Sequence, residues 1–297
     1  MKEIVVISGK GGTGKTSIVA SFAFLAERKV LADCDVDAAD LHLVLAPTIE
    51  YQEDFSGGGK ARIDPERCIG CGLCMGLCRF GAISSSKNEA GRDAGELEKP
   101  CVNPLLCEGC KLCVRACPEQ AIDFEPHIDG RMFISSTDYG PMVHAGLGIG
   151  QGNSGKLVAL VREKARNVAQ EKGLDLVIID GSPGIGCPVI ASITGVDLVL
   201  AVTEPTVSGR HDLLRVSELT SHFQIPLLVC VNKWDLNPEV AGQIEELALE
   251  RGARLAGRVR YDPAVTQAMV ARKSMAEFSK EGAAEDIRKL WRTVSEN

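Results

Sequence analysis

The chain contains 297 residues, of which 45% are hydrophobic and 25% are charged, and its formal net charge is −7. This is the profile of a soluble globular protein, and its acidity argues against a nucleic-acid partner and a DNA-partitioning role. No apolar run is long enough for an integral membrane segment and no secretory segment precedes the first strand, so we expect a cytoplasmic protein. Disulfides are rare in that compartment, yet eight of the 12 cysteines share two identical spacings, which points to metal.

The chain opens with an α/β pattern. A strand is predicted at Lys2–Ile7, followed by a glycine-rich turn, a helix from about Lys15 to Arg28, and a strand at Val30–Ala32 that ends in a cluster of aspartates. The pattern stops after Leu45 and resumes beyond a cysteine-rich stretch. The later elements are a helix at Leu157–Lys172 and strands at Met132–Ile134, Leu176–Ile179, Leu198–Val202, Leu227–Val231 and Leu255–Val259.

Most of these strands are apolar on both faces and alternate with helices, a pattern typical of a parallel sheet covered on both sides. We therefore predict a doubly wound α/β domain, residues 1–55 and 127–297, interrupted by an insert at residues 56–126. Ser56-Gly57-Gly58-Gly59 is predicted to be a flexible junction at the start of the insert. The last helix is expected to pack against the sheet through one apolar face, formed by Ile287, Leu290, Trp291 and Val294.

The cysteines of the insert form an internal repeat. The run Cys68-x2-Cys71-x2-Cys74-x3-Cys78 recurs 39 positions later as Cys107-x2-Cys110-x2-Cys113-x3-Cys117. In such runs the first three thiolates wrap one four-iron cluster and the fourth ligates the other cluster. Paired zinc sites are the alternative, but they prefer CxxC pairs at longer separation.

Every ligand position of these runs resembles the bacterial two-cluster ferredoxin. The resemblance implies a small α+β ferredoxin-like domain with two [4Fe-4S] clusters. One cluster would be held by Cys68, Cys71, Cys74 and Cys117, and the other by Cys78, Cys107, Cys110 and Cys113. The proline that follows the fourth cysteine in that family is present as Pro118 but is replaced by Arg79 in the first run.

A phosphate-binding loop is predicted between the first strand and the first helix. Its sequence is Gly9-Lys10-Gly11-Gly12-Thr13-Gly14-Lys15-Thr16. Strand and helix flanks are the context that a P-loop requires, and the backbone N–H groups at the helix N-terminus favour phosphate. Lys15 would contact the β- and γ-phosphates, and the Thr16 hydroxyl would hold Mg²⁺.

Lys10, directly after the first glycine, makes this loop resemble the deviant Walker A family of the SIMIBI class, which includes MinD, ParA, Mrp and the nitrogenase iron protein. The resemblance implies an ATPase in which Lys10 reaches the partner's phosphates across a nucleotide-sandwiched dimer, either a homodimer or a heterodimer with a related ATPase. Lys10, Lys15 and Asp35 are then the catalytic residues. Asp35 lies in a segment resembling switch I, Asp33–His42, and would position the attacking water; Asp40 replaces the usual asparagine there.

Two further strand ends resemble the same family. Asp180, after Leu176–Ile179, matches the second Walker strand, so Thr16, Asp33 and Asp180 are the expected Mg²⁺ residues. Asn232-Lys233-Trp234-Asp235 matches an adenine-contacting position but also satisfies the NKxD pattern with which GTPases recognise guanine. Asp262 and Pro263 resemble the loop that closes over the base. The family favours ATP, whereas the residues alone leave ATP and GTP open.

Two features carry no settled chemistry. Cys187 lies seven residues beyond Asp180, a position at which the nitrogenase iron protein binds a bridging cluster, and the alternative is a packed thiol. Thr203-Glu204-Pro205-Thr206 also resembles the family, without an assigned role.

The residues leave three functions open, and complete ligand sets for two clusters favour the first of them. The first is ATP hydrolysis coupled to electron transfer through two [4Fe-4S] clusters, with ATP and ADP as ligands and an unidentified redox protein as partner. The second is an assembly or carrier ATPase that passes a cluster or metallocofactor to an accepting protein. The third is a MinD/ParA-like positioning or interaction ATPase with structural clusters.

Overall fold

The computed structural model describes residues 1–85, 99–148, 152 and 154–297. The chain forms two compact units. The first unit comprises Met1–Glu53, Arg131–Gly146 and Ser154–Asn297, and the second comprises Asp54–Gly130 and Leu147–Asn153. The second unit therefore includes residues on both sides of the insert predicted at 56–126 and a short segment distant from it in sequence.

The described residues contain 13 strands and 11 α-helices, which alternate in much of the first unit. The strands are β1 Lys2–Ser8, β2 Lys29–Asp33, β3 Thr48–Phe55, β4 Gly58–Ile63, β5 Ile83–Ser85, β6 Pro100–Val102, β7 Ile122–His127, β8 Gly130–Thr137, β9 Gly140–Leu147, β10 Leu176–Pro183, β11 Leu198–Thr203, β12 Leu227–Asn232 and β13 Arg254–Val259. The helices are α1 Lys15–Leu25, α2 Leu41–Leu45, α3 Leu73–Leu77, α4 Leu112–Ala116, α5 Ser154–Glu171, α6 Cys187–Ile193, α7 Val207–His222, α8 Pro238–Glu250, α9 Ala264–Val270, α10 Met275–Phe278 and α11 Ala283–Ser295.

The first unit is built on a sheet whose strand order is β13-β12-β11-β1-β10-β2-β9-β8-β3. Neighbouring strands from β13 through β9 all pair in parallel. Parallel neighbours need crossover connections, and helices supply them, as α7 does between β11 and β12. The predicted α/β class with a mostly parallel sheet is confirmed.

The central strands are buried on both faces, which explains their continuous apolar sequences. Ile4, Val5, Val6 and Ile7 of β1 are at most 1% exposed. Parallel register then brings the carboxyl ends of three strands together, because Val6 pairs with Asp180 and Asp180 pairs with Asp33. The aspartates at the ends of β2 and β10 are therefore neighbours, although they are distant in sequence.

The expectation that the α/β pattern stops after Leu45 is wrong, because β3 follows as an edge strand of the main sheet. Most side chains of β3 are exposed, so its sequence lacks the apolar signal of a buried strand. The strand predicted at Met132–Ile134 is longer, as β8, and continues into β9 after two residues, a connection typical of antiparallel strands. Helix α1 ends at Leu25 rather than near Arg28, because Ala26 is extended.

Helix α11 packs against β13, as predicted. Ile287, Leu290 and Val294 are at most 1% exposed, and the Trp291 ring lies 4.8 Å from the Phe22 ring, centroid to centroid. Within the described ranges, no helix has both the length and the apolarity needed to cross a membrane.

The second unit is an interleaved pair of half-repeats. Strand β4, which precedes the first cysteine run, pairs antiparallel with β7, which follows the second run. Strand β5, after the first run, likewise pairs antiparallel with β6, which precedes the second run. Helices α3 and α4 occupy equivalent positions within the runs and contact each other. The two halves of the repeat thus fold around each other.

The backbone of the two cysteine runs repeats as closely as the sequence does. Left-handed φ angles recur at positions 39 residues apart, in three matched pairs. These are Gly70 (72°) with Gly109 (64°), Gly72 (74°) with Lys111 (63°), and Gly81 (62°) with Gln120 (49°). A left-handed conformation is unfavourable for Lys111 and Gln120, so its retention there indicates that the loop shape is constrained.

Candidate functional site

The loop between β1 and α1 is held from the side by the end of β12. The Asn232 side-chain amide Nδ2 donates a hydrogen bond of 2.7 Å to the Thr13 carbonyl oxygen. Gly14 has a φ of 88°, and a Cβ at this position would collide with the same Asn232 amide. Glycine is therefore required at position 14 both by the backbone conformation and by the close approach of the β12 side chain.

Lys15 faces a cluster of three aspartates at the carboxyl ends of the strands. Its side chain is 6% exposed; Nζ donates to the Asp180 carboxylate and lies 3.8 Å from Asp35 Oδ2. Asp33 is fully buried and accepts backbone hydrogen bonds from Asp35 N, at 3.1 Å, and Leu41 N, at 3.3 Å. The structure thus brings together Lys15, Asp33, Asp35 and Asp180, which the sequence had assigned to one site.

The electrostatics of this cluster favour an additional cation. Burial raises the pKa of Asp33 well above its usual value, and the Asp180 carboxylate raises it further. Burial also raises the pKa of Asp35, to about 6. Burial would lower the pKa of Lys15, but the Asp180 carboxylate opposes this and the net pKa is raised. Three carboxylates facing one ammonium leave an excess of negative charge, which a divalent cation could neutralise.

Lys15 and Asp35 line a cleft of about 450 Å³, a volume within the usual range for small-molecule sites, whereas Asp33 and Asp180 are not part of its lining. Gly11, Gly12, Gly14, Thr16 and Asp40 also line it. The Thr13 hydroxyl Oγ1 is buried there and has no hydrogen-bond partner among the described residues. Buried polar atoms are nearly always paired, so this hydroxyl is suited to a ligand that the cleft would hold.

The lining of the cleft also contains some of the predicted base-contacting residues. Asn232, Lys233 and Asp262 belong to its lining, whereas Asp235 and Pro263 do not. The Asp235 carboxylate accepts a 2.7 Å hydrogen bond from Tyr261 N. The Asp262 carboxylate is likewise engaged with backbone, since it accepts hydrogen bonds from Ala264 N (2.9 Å) and Ala283 N (3.1 Å).

Glu204, which follows β11, contacts two lysines beside the loop. Its carboxylate lies 2.5 Å from Lys233 Nζ and 3.4 Å from Lys10 Nζ. Lys233 Nζ also donates to the Gly12 carbonyl oxygen, at 3.2 Å, and Lys10 Nζ donates to Ser208 Oγ, at 3.3 Å. Sequence reasoning assigned no chemistry to Glu204, and its only signal was the resemblance of Thr203–Thr206 to the family.

The cysteines of the second unit line two separate cavities. The first cavity is lined by Cys68, Cys71, Cys74 and Cys117, and the second by Cys78, Cys107, Cys110 and Cys113. Apart from the cysteines, the first lining is mainly apolar and includes Ile63, Ile69, Leu73, Pro100 and Ile122. Each set of four therefore combines three cysteines of one run with the fourth cysteine of the other run.

The fourth cysteine of each run occupies the same environment. Cys78 Sγ accepts a hydrogen bond from Ala82 N, and Cys117 Sγ accepts one from Ala121 N, each at 3.3 Å. Backbone N–H groups directed at sulfur stabilise a thiolate and influence the reduction potential of a cluster that it ligates. The hydrogen bonding therefore repeats along with the sequence and the backbone conformation.

The remaining cysteines lie outside both cavities. Cys101 is exposed on β6, and Cys187 is exposed at the first residue of α6. Cys34 and Cys230 are fully buried, and burial raises the pKa of both thiols, as expected for unreactive core residues. The assignment of a bridging metal to Cys187 stays a prediction.

Comparisons with known proteins agree with the fold. Residues 4–274 match the family model described as the CobQ/CobB/MinD/ParA nucleotide binding domain. Two uncharacterized proteins of Methanocaldococcus jannaschii are similar to this chain. MJ0578 is 34% identical over 244 residues, which cover 79% of each protein, and MJ0579 is 26% identical over 260 residues, which cover 80% of this chain and 82% of that protein.

A solved structure shares the fold at low sequence identity. The septum site-determining protein MinD of Pyrococcus horikoshii, in complex with Mg-ADP, has a TM-score of 0.57 and 15% identity. That comparison covers 99% of this chain and 95% of the other. The family match extends over most of the chain, from β1 to the start of α10. The chain therefore belongs to the CobQ/CobB/MinD/ParA nucleotide-binding family of P-loop ATPases.

Proposed function

We propose that this protein is a MinD/ParA-like interaction ATPase that binds ATP with Mg²⁺, associates with a second ATPase subunit in a nucleotide-dependent way, and holds two [4Fe-4S] clusters in its second unit. One observation carries the nucleotide assignment: Lys15 and three buried or partly buried carboxylates meet beside a glycine loop. Binding of labelled ATP and measurement of phosphate release test it directly.

The residues of the cleft fit magnesium nucleotide. The ATP phosphates would draw Lys15 away from Asp180, and the freed Asp180 carboxylate, with Asp33 and the Thr16 hydroxyl, would hold Mg²⁺. Bound Mg²⁺ neutralises charge on the phosphates. Across the described part of the chain, no three His, Cys, Asp or Glu side chains are grouped to hold an ion alone. In magnesium sites, substrate phosphates and water complete the coordination. Asp35 would orient the attacking water.

Lys10→Ala should keep ATP affinity within about threefold of wild type, because an exposed lysine paired with glutamate contributes little to a neighbouring site. It should nevertheless remove the hydrolysis that depends on dimer formation. The measurement is the ATPase rate as a function of protein concentration, alongside equilibrium binding, with the exposed Lys172→Ala as the control. If Lys10→Ala hydrolyses ATP at the wild-type rate at every concentration, Lys10 does not act on a partner's nucleotide and the site works as a monomer.

ATP should bind at least about tenfold more tightly than GTP, a difference of about 1.4 kcal/mol. Asp235, the residue that would recognise guanine, is outside the cleft lining and accepts a hydrogen bond from Tyr261 N. Competitive titration of the two nucleotides measures the ratio. Asp235→Asn should leave that ratio unchanged. Tighter binding of GTP, with a loss of that preference in Asp235→Asn, would instead assign Asp235 to guanine recognition.

The cluster proposal is supported by the chemistry of the two cavities. Each presents four thiols in a mainly apolar lining, and the fourth sulfur in each accepts a backbone hydrogen bond. A single zinc ion would require its four sulfurs about 2.3 Å from one point. A four-iron cube instead takes one thiolate on each of its irons, and in such pairs of runs the fourth cysteine of one run completes the set of the other, as the two cavity linings do.

The small core of the second unit favours the same conclusion. Its buried members are Ala61, Cys74, Ala82, Ile83, Cys107 and Ile122, so two of them are themselves candidate ligands. So small a core buries little apolar surface, and the free energy of metal binding would add to the stability of the unit. The clusters would therefore be structural as well as redox-active groups.

Electron transfer coupled to ATP hydrolysis is the second candidate function. It is favoured by the completeness of both thiol sets, because a fully ligated cube is better suited to exchanging electrons than to being donated. A carrier would be expected to have a labile, exposed site, for which Cys187 is the candidate in this chain. Anaerobic reduction of the loaded protein, followed by mixing with co-purified partners, distinguishes the two: electron transfer oxidises the clusters, whereas carriage removes iron from the chain.

A further inference from the structure

Glu204 is placed against the P-loop by a tightly packed turn. Its carbonyl oxygen accepts a 2.7 Å hydrogen bond from Thr206 N, and the Thr206 side chain caps α7 by accepting a hydrogen bond from Gly209 N, at 3.0 Å. A Cβ at Gly209 would collide with the Glu204 carbonyl oxygen. The backbone of Glu204 is therefore fixed, which limits where its carboxylate can reach.

The two lysines that contact this carboxylate are held unequally. The Glu204 side chain is only 14% exposed, and Lys233 lies 2.5 Å from it while also bonding the Gly12 carbonyl oxygen. Lys10 lies 3.4 Å from it, with a side chain that is 37% exposed, and its hydrogen bond to Ser208 Oγ is long, at 3.3 Å. Lys233 is thus the more firmly held of the two lysines, and Lys10 is the one whose contact with Glu204 is more easily broken.

We propose that Glu204 is a positioning residue that holds Lys10 in the nucleotide-free chain and releases it when a nucleoside triphosphate binds. This rests on the nucleotide site proposed above. Phosphate charge, which in the proposed dimer is that of the partner's nucleotide, competes with the carboxylate for Lys10, and Lys233 continues to neutralise Glu204 after Lys10 has left. Breaking the contact between Lys10 and Glu204 costs free energy, which offsets the free energy gained when Lys10 contacts phosphate. Lys10 therefore adds little to the net nucleotide affinity of the wild-type chain.

A double-mutant cycle on the full chain tests this. Glu204→Gln keeps the shape of the side chain and removes its charge, so Lys10 is free before nucleotide arrives. Affinity for a non-hydrolysable ATP analogue should rise about fivefold, the effect expected when one partly exposed ion pair no longer competes. Affinity for ADP, which lacks the γ-phosphate, should rise less. In the Lys10→Ala background, Glu204→Gln should change affinity for the analogue by less than about twofold.

The outcomes separate this proposal from the proposed function. If the wild-type chain binds no nucleotide, both fail. If it binds the analogue and Glu204→Gln has the same effect with and without Lys10, then Glu204 does not act through Lys10 and only the positioning role is overturned. Glu218→Gln, on the exposed face of α7, is the matched control and should change nothing. Should Glu204→Gln fail to fold, Ser208→Ala removes the other acceptor of Lys10 and should raise affinity for the analogue more weakly, again only when Lys10 is present.

Discussion

Replacing Lys15 with alanine should lower ATP affinity at least about a hundredfold, or about 3 kcal/mol, and should abolish hydrolysis. Lys15 Nζ is the buried ammonium that faces Asp180 and Asp35, and it is the group positioned to meet the phosphates. Alanine removes that attraction. It also leaves the aspartates opposed to the incoming phosphate charge, so the loss exceeds that of an ordinary surface lysine.

The same substitution should destabilise the first unit, because it leaves buried carboxylates without their cation. Binding and folding must therefore be measured separately. Lys15→Ala combined with Asp180→Asn removes one of the uncompensated charges and should recover much of the thermal stability, while ATP binding stays lost. Isothermal titration with ATP and thermal melting provide the two readouts, and Lys172→Ala is the control for loss of a lysine. ATP affinity within about threefold of wild type in Lys15→Ala would contradict the assignment of the loop.

Protein purified without oxygen should contain about eight iron atoms and about eight acid-labile sulfides per chain, as two four-iron cubes require. It should be brown and should bleach on reduction with dithionite. Iron, sulfide and zinc are measured on the same sample. Stoichiometric zinc with little iron would overturn the cluster proposal. About four irons per chain would mean that only one of the two cavities holds a cluster.

Single cysteine substitutions make this prediction specific to the cavities. Cys71→Ser should lose about four irons, because each cube needs all of its thiolates. Cys101→Ser is the matched control, since Cys101 is an exposed cysteine of the same unit that lines neither cysteine cavity. It should keep the full iron content. An equal loss of iron in both variants would show that the cavities do not define the ligand sets.

Part of this architecture is readable from sequence because the relevant signals are local. The P-loop is one contiguous segment between a strand and a helix, and Asp33 and Asp180 follow buried strands whose apolar runs are unmistakable. The parallel register then makes these aspartates neighbours, since it aligns the carboxyl ends of β1, β10 and β2. The cysteine spacing is equally local within each run.

The features that sequence reasoning missed depend on contacts between distant segments or on exposed surfaces. Strand β3 lies at the sheet edge with most side chains exposed, so no apolar pattern marks it. The role inferred for Glu204 depends on Lys10 and Lys233, one far before it and one well after it in the chain. Asp235 satisfies a guanine-binding pattern, yet its carboxylate accepts a hydrogen bond from Tyr261 N. Local sequence specifies such residues but not their partners.

The interleaving of the second unit has a consequence for how the chain is made. Each cysteine cavity draws its lining from both runs, so neither is complete while only the first run has left the ribosome. The second cavity gains its last cysteine at Cys113 and the first at Cys117, only four residues later. All four thiols of the first run therefore lack a complete cavity until the second run has been synthesised. Both cavities are then complete at nearly the same point, so loading of the proposed clusters would be one joint event rather than two successive ones.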